Sequence, residues 1–235
     1  MIKLLLSLLA LGKLGKVLTT GGTMIISVFA YALVFGWKYA VGFVLLLFCH
    51  EMGHFIAARL RGMDVGAPTF IPFIGAWIQL KEQPLDAETE AYIGIAGPML
   101  GSAAAYVCYL IGTATGESIW LALAYGGFML NLFNLIPLSP LDGGRIVGVV
   151  SPRIWLLGVP LLAALFFWKP SPMLILIAII AAPQVWAVLK NRGMQDAAYY
   201  QVAPAVRYSY AAYYLLLAAG LALMAYEVKQ VLPAH

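Results

Sequence analysis

The chain has 235 residues, of which 63% are hydrophobic and 10% charged, with a mean hydropathy of +0.91. A soluble domain carries about 25% charged residues, so this composition excludes an ordinary soluble globule and marks an integral membrane protein, whose length suits one compact bundle. The net charge of +4 serves to orient such a protein in the lipid bilayer and points to no nucleic-acid partner.

The first residues, MIKLLLSLLALGKLGKVL, begin like a signal peptide, but Lys13 and Lys16 follow with no small-residue cleavage site before them. Residues 1–18 are therefore expected to form an interfacial helix. Nearly charge-free runs then mark spans at 17–37, 39–60, 91–115, 118–141, 146–168, 170–189 and 208–225. The fifth of these is interrupted early by Pro152 and Arg153. With a cytoplasmic N-terminus, Lys3, Lys13, Lys16, Arg59, Arg61, Lys81, Arg145, Arg153, Lys190, Arg192 and Arg207 share the cytoplasmic side, leaving Lys38, Lys169 and Lys229 outside. That asymmetry satisfies the positive-inside rule.

Between the second and third spans, GAPTFIPFIGAWIQLKE (66–82) is apolar but broken by Pro and Gly. It is too interrupted for a spanning helix. Thr69-Phe70-Ile71 and the run from Ala76 to Leu80 read as strands about a turn at 72–75, forming a hairpin that dips into the cytoplasmic face. Asp86, Glu88 and Glu90 suit the N-terminus of the third span. The tyrosines at 199, 200, 208, 210, 213 and 214 suit an aromatic belt. Cys49 and Cys108 lie in apolar runs and form no disulfide framework. The expected fold is an all-α polytopic membrane protein: six to seven transmembrane helices with a short membrane-re-entrant β-hairpin. It forms a single domain, 1–235, comprising the interfacial helix 1–18, a core over 19–190 and a C-terminal span in 191–235.

The chemistry lies in the second span, at FCHEMGHFIAARL (48–60). His50 and His54 are four apart, which puts both imidazoles on one helix face. Two such nitrogens can bind one tetrahedral Zn2+, and Glu51 beside them can act as general base, the H-E-x-x-H arrangement of metalloproteases. A catalytic zinc needs a third protein ligand. His235, the third histidine, is the last residue, and every acidic side chain except Asp142 and Glu51 fits a loop or a span end. Asp142 follows Pro137 and Pro140, which disrupt helix geometry, and precedes Gly143 and Gly144, which permit close approaches. The fourth span is therefore expected to unwind, with Asp142 projecting from irregular backbone into a polar cavity. From His50 to Arg59 is about 13 Å of helix, which places the metal about 10 Å inside the bilayer from the cytoplasmic side.

HEMGH on one span and NLIPLSPLDGG (134–144) two spans later resemble the site-2 protease family of intramembrane zinc metalloproteases. AGPMLGS (96–102) and the apolar hairpin resemble further parts of that family, and the likeness covers residues 20 to 190. Where members of the family have an asparagine, this chain has Gly101 or Ser102. The resemblance implies one Zn2+ per chain on His50, His54 and Asp142, with Glu51 activating water. Asn134 would steady the oxyanion or the substrate backbone. It further implies cleavage of transmembrane proteins or leftover signal peptides by regulated intramembrane proteolysis, in a compact form most similar to prokaryotic members. The competing readings are a membrane metal carrier, which needs no glutamate beside the first histidine, and an inactive client-binding relative. Neither the substrate nor the oligomeric state is legible in the sequence.

Overall fold

The structure, a computed structural model, describes residues 2–77, 84–190 and 198–232, with side chains from Leu18 onward. His235, Leu80 and the end of the second predicted strand lie outside the described residues. Eight α-helices and one two-stranded sheet make up the described chain. Helix α1, Ile2–Phe35, is continuous, so the segment expected to lie at the interface runs without a break into the first apolar span. Gly36, at φ +80°, allows the sharp turn into α2, Trp37–Leu60. Strands β1, Thr69–Ile71, and β2, Gly75–Trp77, pair antiparallel, with Phe70 opposite Ala76.

Helix α3, Ala87–Thr115, starts under Asp86, whose carboxylate accepts the Thr89 N–H at 2.6 Å, with Glu88 and Glu90 in the first turn. Next come α4, Ser118–Asn134, α5, Asp142–Val150, a 3-10 turn at Pro152–Ile154 and α6, Trp155–Trp168. Helices α7, Pro172–Leu189, and α8, Pro204–Val231, complete the chain. The run expected as a fifth span is thus three pieces. Pro152 disfavours helix at Ser151, and the Ser151 hydroxyl instead accepts the Arg153 N–H. Among the described residues, five helices, α1, α2, α3, α7 and α8, are long and apolar enough to cross a membrane.

The largest core packs α2, α3, α4, α5 and α8 together, through Leu46, Ile95, Phe128, Ile146 and Leu221 among others. Arg207 at the start of α8 donates to the carbonyls of Val150, Tyr200 and Val202, which pins the C-terminus of α5. Two of the tyrosines tie elements together. The Tyr214 hydroxyl donates to the Leu135 carbonyl at 2.6 Å, where α4 ends. Tyr199 donates to Glu90 at 2.7 Å, and burial together with that carboxylate pushes its phenol well above the usual range. It therefore remains a donor at any physiological pH.

The hairpin is held by α1. Thr20 donates to the Pro68 carbonyl at 2.7 Å, Thr23 accepts the Phe70 N–H at 3.2 Å, and Tyr31 accepts the Phe73 N–H at 3.2 Å. These positions, with Ser27 between them, step along α1 by three and four residues and so form one polar stripe. Short strands cannot satisfy their own backbone, and this stripe supplies part of what the ladder leaves unpaired.

Candidate metal centre

Helix α2 presents His50, Glu51 and His54 to the interior, all less than a tenth exposed. The helix can lie this close to α3 because both crossing positions are glycine. A Cβ on Gly53 would strike the Ala96 carbonyl, and one on Gly97 would strike the His54 ring. Small residues at helix crossings allow this approach within membranes. Gly97→Ala should therefore push the His54 ring out of place, at a cost of about 1–3 kcal/mol in overpacking. Elemental analysis of the purified variant should show lowered metal retention while its helical circular dichroism persists.

The other half of the site comes from the segment between α4 and α5. Backbone at Leu135–Ser139 lies directly against Gly143 and Gly144, where any Cβ would collide with it. Trp155 closes the arrangement by donating to the Gly144 carbonyl at 2.8 Å. Asp142 is the first residue of α5 and not, as expected, part of irregular backbone. The glycine pair lets the helix begin immediately after Leu141, and an acidic residue at a helix N-terminus is favoured there.

These elements bring His50, His54 and Asp142 together. Asp142 Oδ2 lies 3.1 Å from His50 Nε2 and 3.2 Å from His54 Nε2, and the two Nε2 atoms are 3.1 Å apart. The opposite ring nitrogens fix the tautomers. His54 Nδ1 is 2.7 Å from the Ile93 carbonyl, which can only accept, so Nδ1 carries the hydrogen. His50 Nδ1 is 2.8 Å from Asn131 Oδ1, and Asn131 Nδ2 donates to the Gly127 carbonyl at 2.7 Å, which leaves Oδ1 as the acceptor. Two imidazole lone pairs and a carboxylate oxygen therefore converge on one point. With both ring hydrogens on Nδ1, the imidazoles have no proton to place between the Nε2 atoms, and a bound cation would satisfy all three donors at once. Tetrahedral ligands about 2.0–2.1 Å from a zinc-sized ion stand about 3.3 Å apart, close to the spacing found. The donor set fits a divalent metal, and among the described residues it is the one group of this kind.

Glu51 makes no hydrogen bond or ion pair among the described residues. It lines a cavity of about 520 Å³ together with the three donor residues, Asn134 and Arg145. Apolar side chains from α2, α4 and α7 and the tip of the hairpin form the remaining wall. Asn134 sits at the end of α4 with Nδ2 donating to the Leu130 carbonyl at 3.2 Å, one N–H remaining for another acceptor. Asn131, 1% exposed, is the neighbour of the candidate site that sequence reasoning missed. The available signal was a second amide in an apolar run, three positions before the one singled out.

The sequence profile of peptidase family M50 matches residues 38–117, which hold the histidine pair. The zinc metalloprotease MJ0392 of Methanocaldococcus jannaschii is 32% identical over 123 residues, covering 49% of this chain and 35% of that protein. Rip3 of Mycobacterium tuberculosis, assigned as a zinc metalloprotease, is 33% identical over 118 residues, 46% of this chain and 29% of its own. The chain spans about a third of the length of the curated relatives it matches.

Proposed function

We propose that the chain is a zinc-dependent endopeptidase of the kind found in peptidase family M50, whose profile matches residues 38–117. It would hydrolyse peptide bonds in or near the transmembrane segments of membrane-anchored substrates, whether regulators or leftover signal peptides. The observation that carries this reading is the convergence of two imidazole lone pairs and the Asp142 carboxylate beside Glu51, which has no hydrogen bond or ion pair among the described residues.

His50, His54 and Asp142 would hold the ion. Zinc supplies Lewis-acid polarisation of the scissile carbonyl and acidifies the attacking water. Glu51 accepts the proton that water loses as its oxygen bonds to the carbonyl carbon. It then delivers that proton to the amine nitrogen as the C–N bond breaks. The remaining Asn134 N–H can hold the oxyanion or a substrate carbonyl.

A substrate helix hides its carbonyls in its own hydrogen bonds, so it must unwind before attack. The hairpin tip lines the same cavity, and a free hairpin edge can receive an extended chain by strand addition. Ile71→Pro should lower cleavage several-fold with zinc content intact, measured on a labelled transmembrane peptide. Unchanged cleavage would rule the strand out of substrate binding. Ile78, the companion position, lies outside the described residues.

The bilayer arrangement belongs to the same reading. It has six or seven crossings with α4 as one of them, the hairpin re-entrant from the cytoplasmic side, residues 1–18 at the interface, a core over 19–190 and the last span in 191–235. The N-terminus and the opening of the site are cytoplasmic, in a prokaryotic cell membrane. The test of the function is cleavage of an apolar transmembrane peptide by the full chain in detergent. Cleavage should be abolished by a chelator and restored by Zn2+. A zinc-loaded protein that cuts no such peptide would refute it.

A further inference from the structure

Arg145 is a cation that the hydrolytic reading does not use. It lies three residues after Asp142 on α5, which puts both on one helix face. It is half-buried and lines the cavity that holds His50, Glu51, His54 and Asp142. Among the described residues it makes no ion pair and no side-chain hydrogen bond. Its place near the N-terminus of α5 is the unfavourable end of the helix dipole for a positive charge, so local helix stability does not account for it.

Charge balance points the same way. A divalent ion is neutralised by the carboxylates of Asp142 and Glu51, and Arg145 is then left in excess in a cavity whose remaining wall is mostly apolar. A charge in such surroundings is costly until it is paired. The guanidinium fork matches a carboxylate bidentately, and a carboxylate is the anionic group a polypeptide offers.

We propose that Arg145 determines specificity by binding a substrate carboxylate beside the hydrolytic centre. This rests on the peptidase reading for its substrate class, but its test needs no cleavage. The carboxylate can come from an Asp or Glu side chain near the scissile bond or from the free end of a chain already cut elsewhere. A role in holding a backbone carbonyl would give no preference between acid and amide.

The test uses the full chain in detergent, carrying Glu51→Gln to prevent turnover, both zinc-loaded and chelated, so that attraction of a carboxylate to the ion itself is read separately. Fluorescent apolar peptides of about 25 residues are made as C-terminal acid or carboxamide, and with an Asp or an Asn at the end of the apolar run. Anisotropy should show at least one acid form binding about tenfold more tightly than its neutral partner. Adding Arg145→Gln should abolish that difference, whereas Arg145→Lys should keep part of it. Preference for the terminal acid identifies the chain end as the source, and preference for Asp identifies the side chain.

The proposal is overturned if no acid form is preferred, if the preference survives Arg145→Gln, or if that variant weakens acid and amide alike. Melting temperature and zinc content check the fold, and Arg145→Met, which keeps the apolar stem, replaces the Gln variant if the latter does not fold. Failure of the protein without Glu51→Gln to cut any peptide would refute the peptidase reading and leave this binding comparison standing.

Discussion

Glu51→Gln should lower peptide cleavage by about two to four orders of magnitude while the purified protein keeps its zinc. Gln is nearly isosteric with Glu but cannot accept the proton of the attacking water. The variant separates chemistry from folding because Glu51 has no hydrogen bond or ion pair among the described residues to lose. Gln keeps the shape of a side chain that is only 6% exposed, so the helical circular dichroism should persist. Cleavage is read on a labelled transmembrane peptide and zinc by elemental analysis. The same variant separates the enzyme from a metal carrier. A carrier reconstituted in vesicles would still take up metal with Gln at 51, and its unsubstituted form would cut nothing. Retained cleavage in Glu51→Gln would remove the glutamate from the mechanism.

Much of this centre was legible because its residues break a simple background. In an apolar chain, a histidine pair at helical spacing stands out, and so does an aspartate that fits neither a loop nor a span end. The distance between the two motifs was not legible: hydropathy says nothing about which helices touch. The contact depends on glycines at 53, 97, 143 and 144; the last two read as sites of close approach, but what packs against any of the four was not readable. Asn131 escaped for a related reason. Its partner His50 is 81 positions away, a separation at which sequence spacing says nothing of contact. The fifth apolar run carried its interruption in the sequence, at Pro152 and Arg153, and the helix breaks there. The break was visible locally, in Ser151-Pro152. The stripe Thr20, Thr23, Ser27, Tyr31 had a readable period as well, but its meaning needed the hairpin lying against it.

Asp142→Ala should leave the purified protein without stoichiometric zinc, and Asn131→Ala should weaken zinc binding by about 10- to 100-fold. The two differ in kind. Asp142 supplies one of the three converging donor atoms, and two imidazoles alone fall short of the three protein ligands a catalytic zinc needs. Asn131 supplies no donor atom to that point. It fixes which nitrogen of His50 carries the hydrogen, so its loss lets the ring turn or change tautomer without removing it. Competition with a chelator of known affinity measures both variants on one scale. Asp142 is buried against both imidazoles, so helical circular dichroism of the variant checks that the fold persists. The chelated proteins give a further contrast. Without a cation, three electron-rich atoms face one another in the unsubstituted chain, and Asp142→Ala removes one of them. A chelator should therefore lower the melting temperature of the unsubstituted protein, because bound metal stabilises the folded state by mass action, and should leave that of Asp142→Ala unmoved. Stoichiometric zinc in Asp142→Ala would mean that the ion is held elsewhere, and the hydrolytic centre would then have to be sought away from α5.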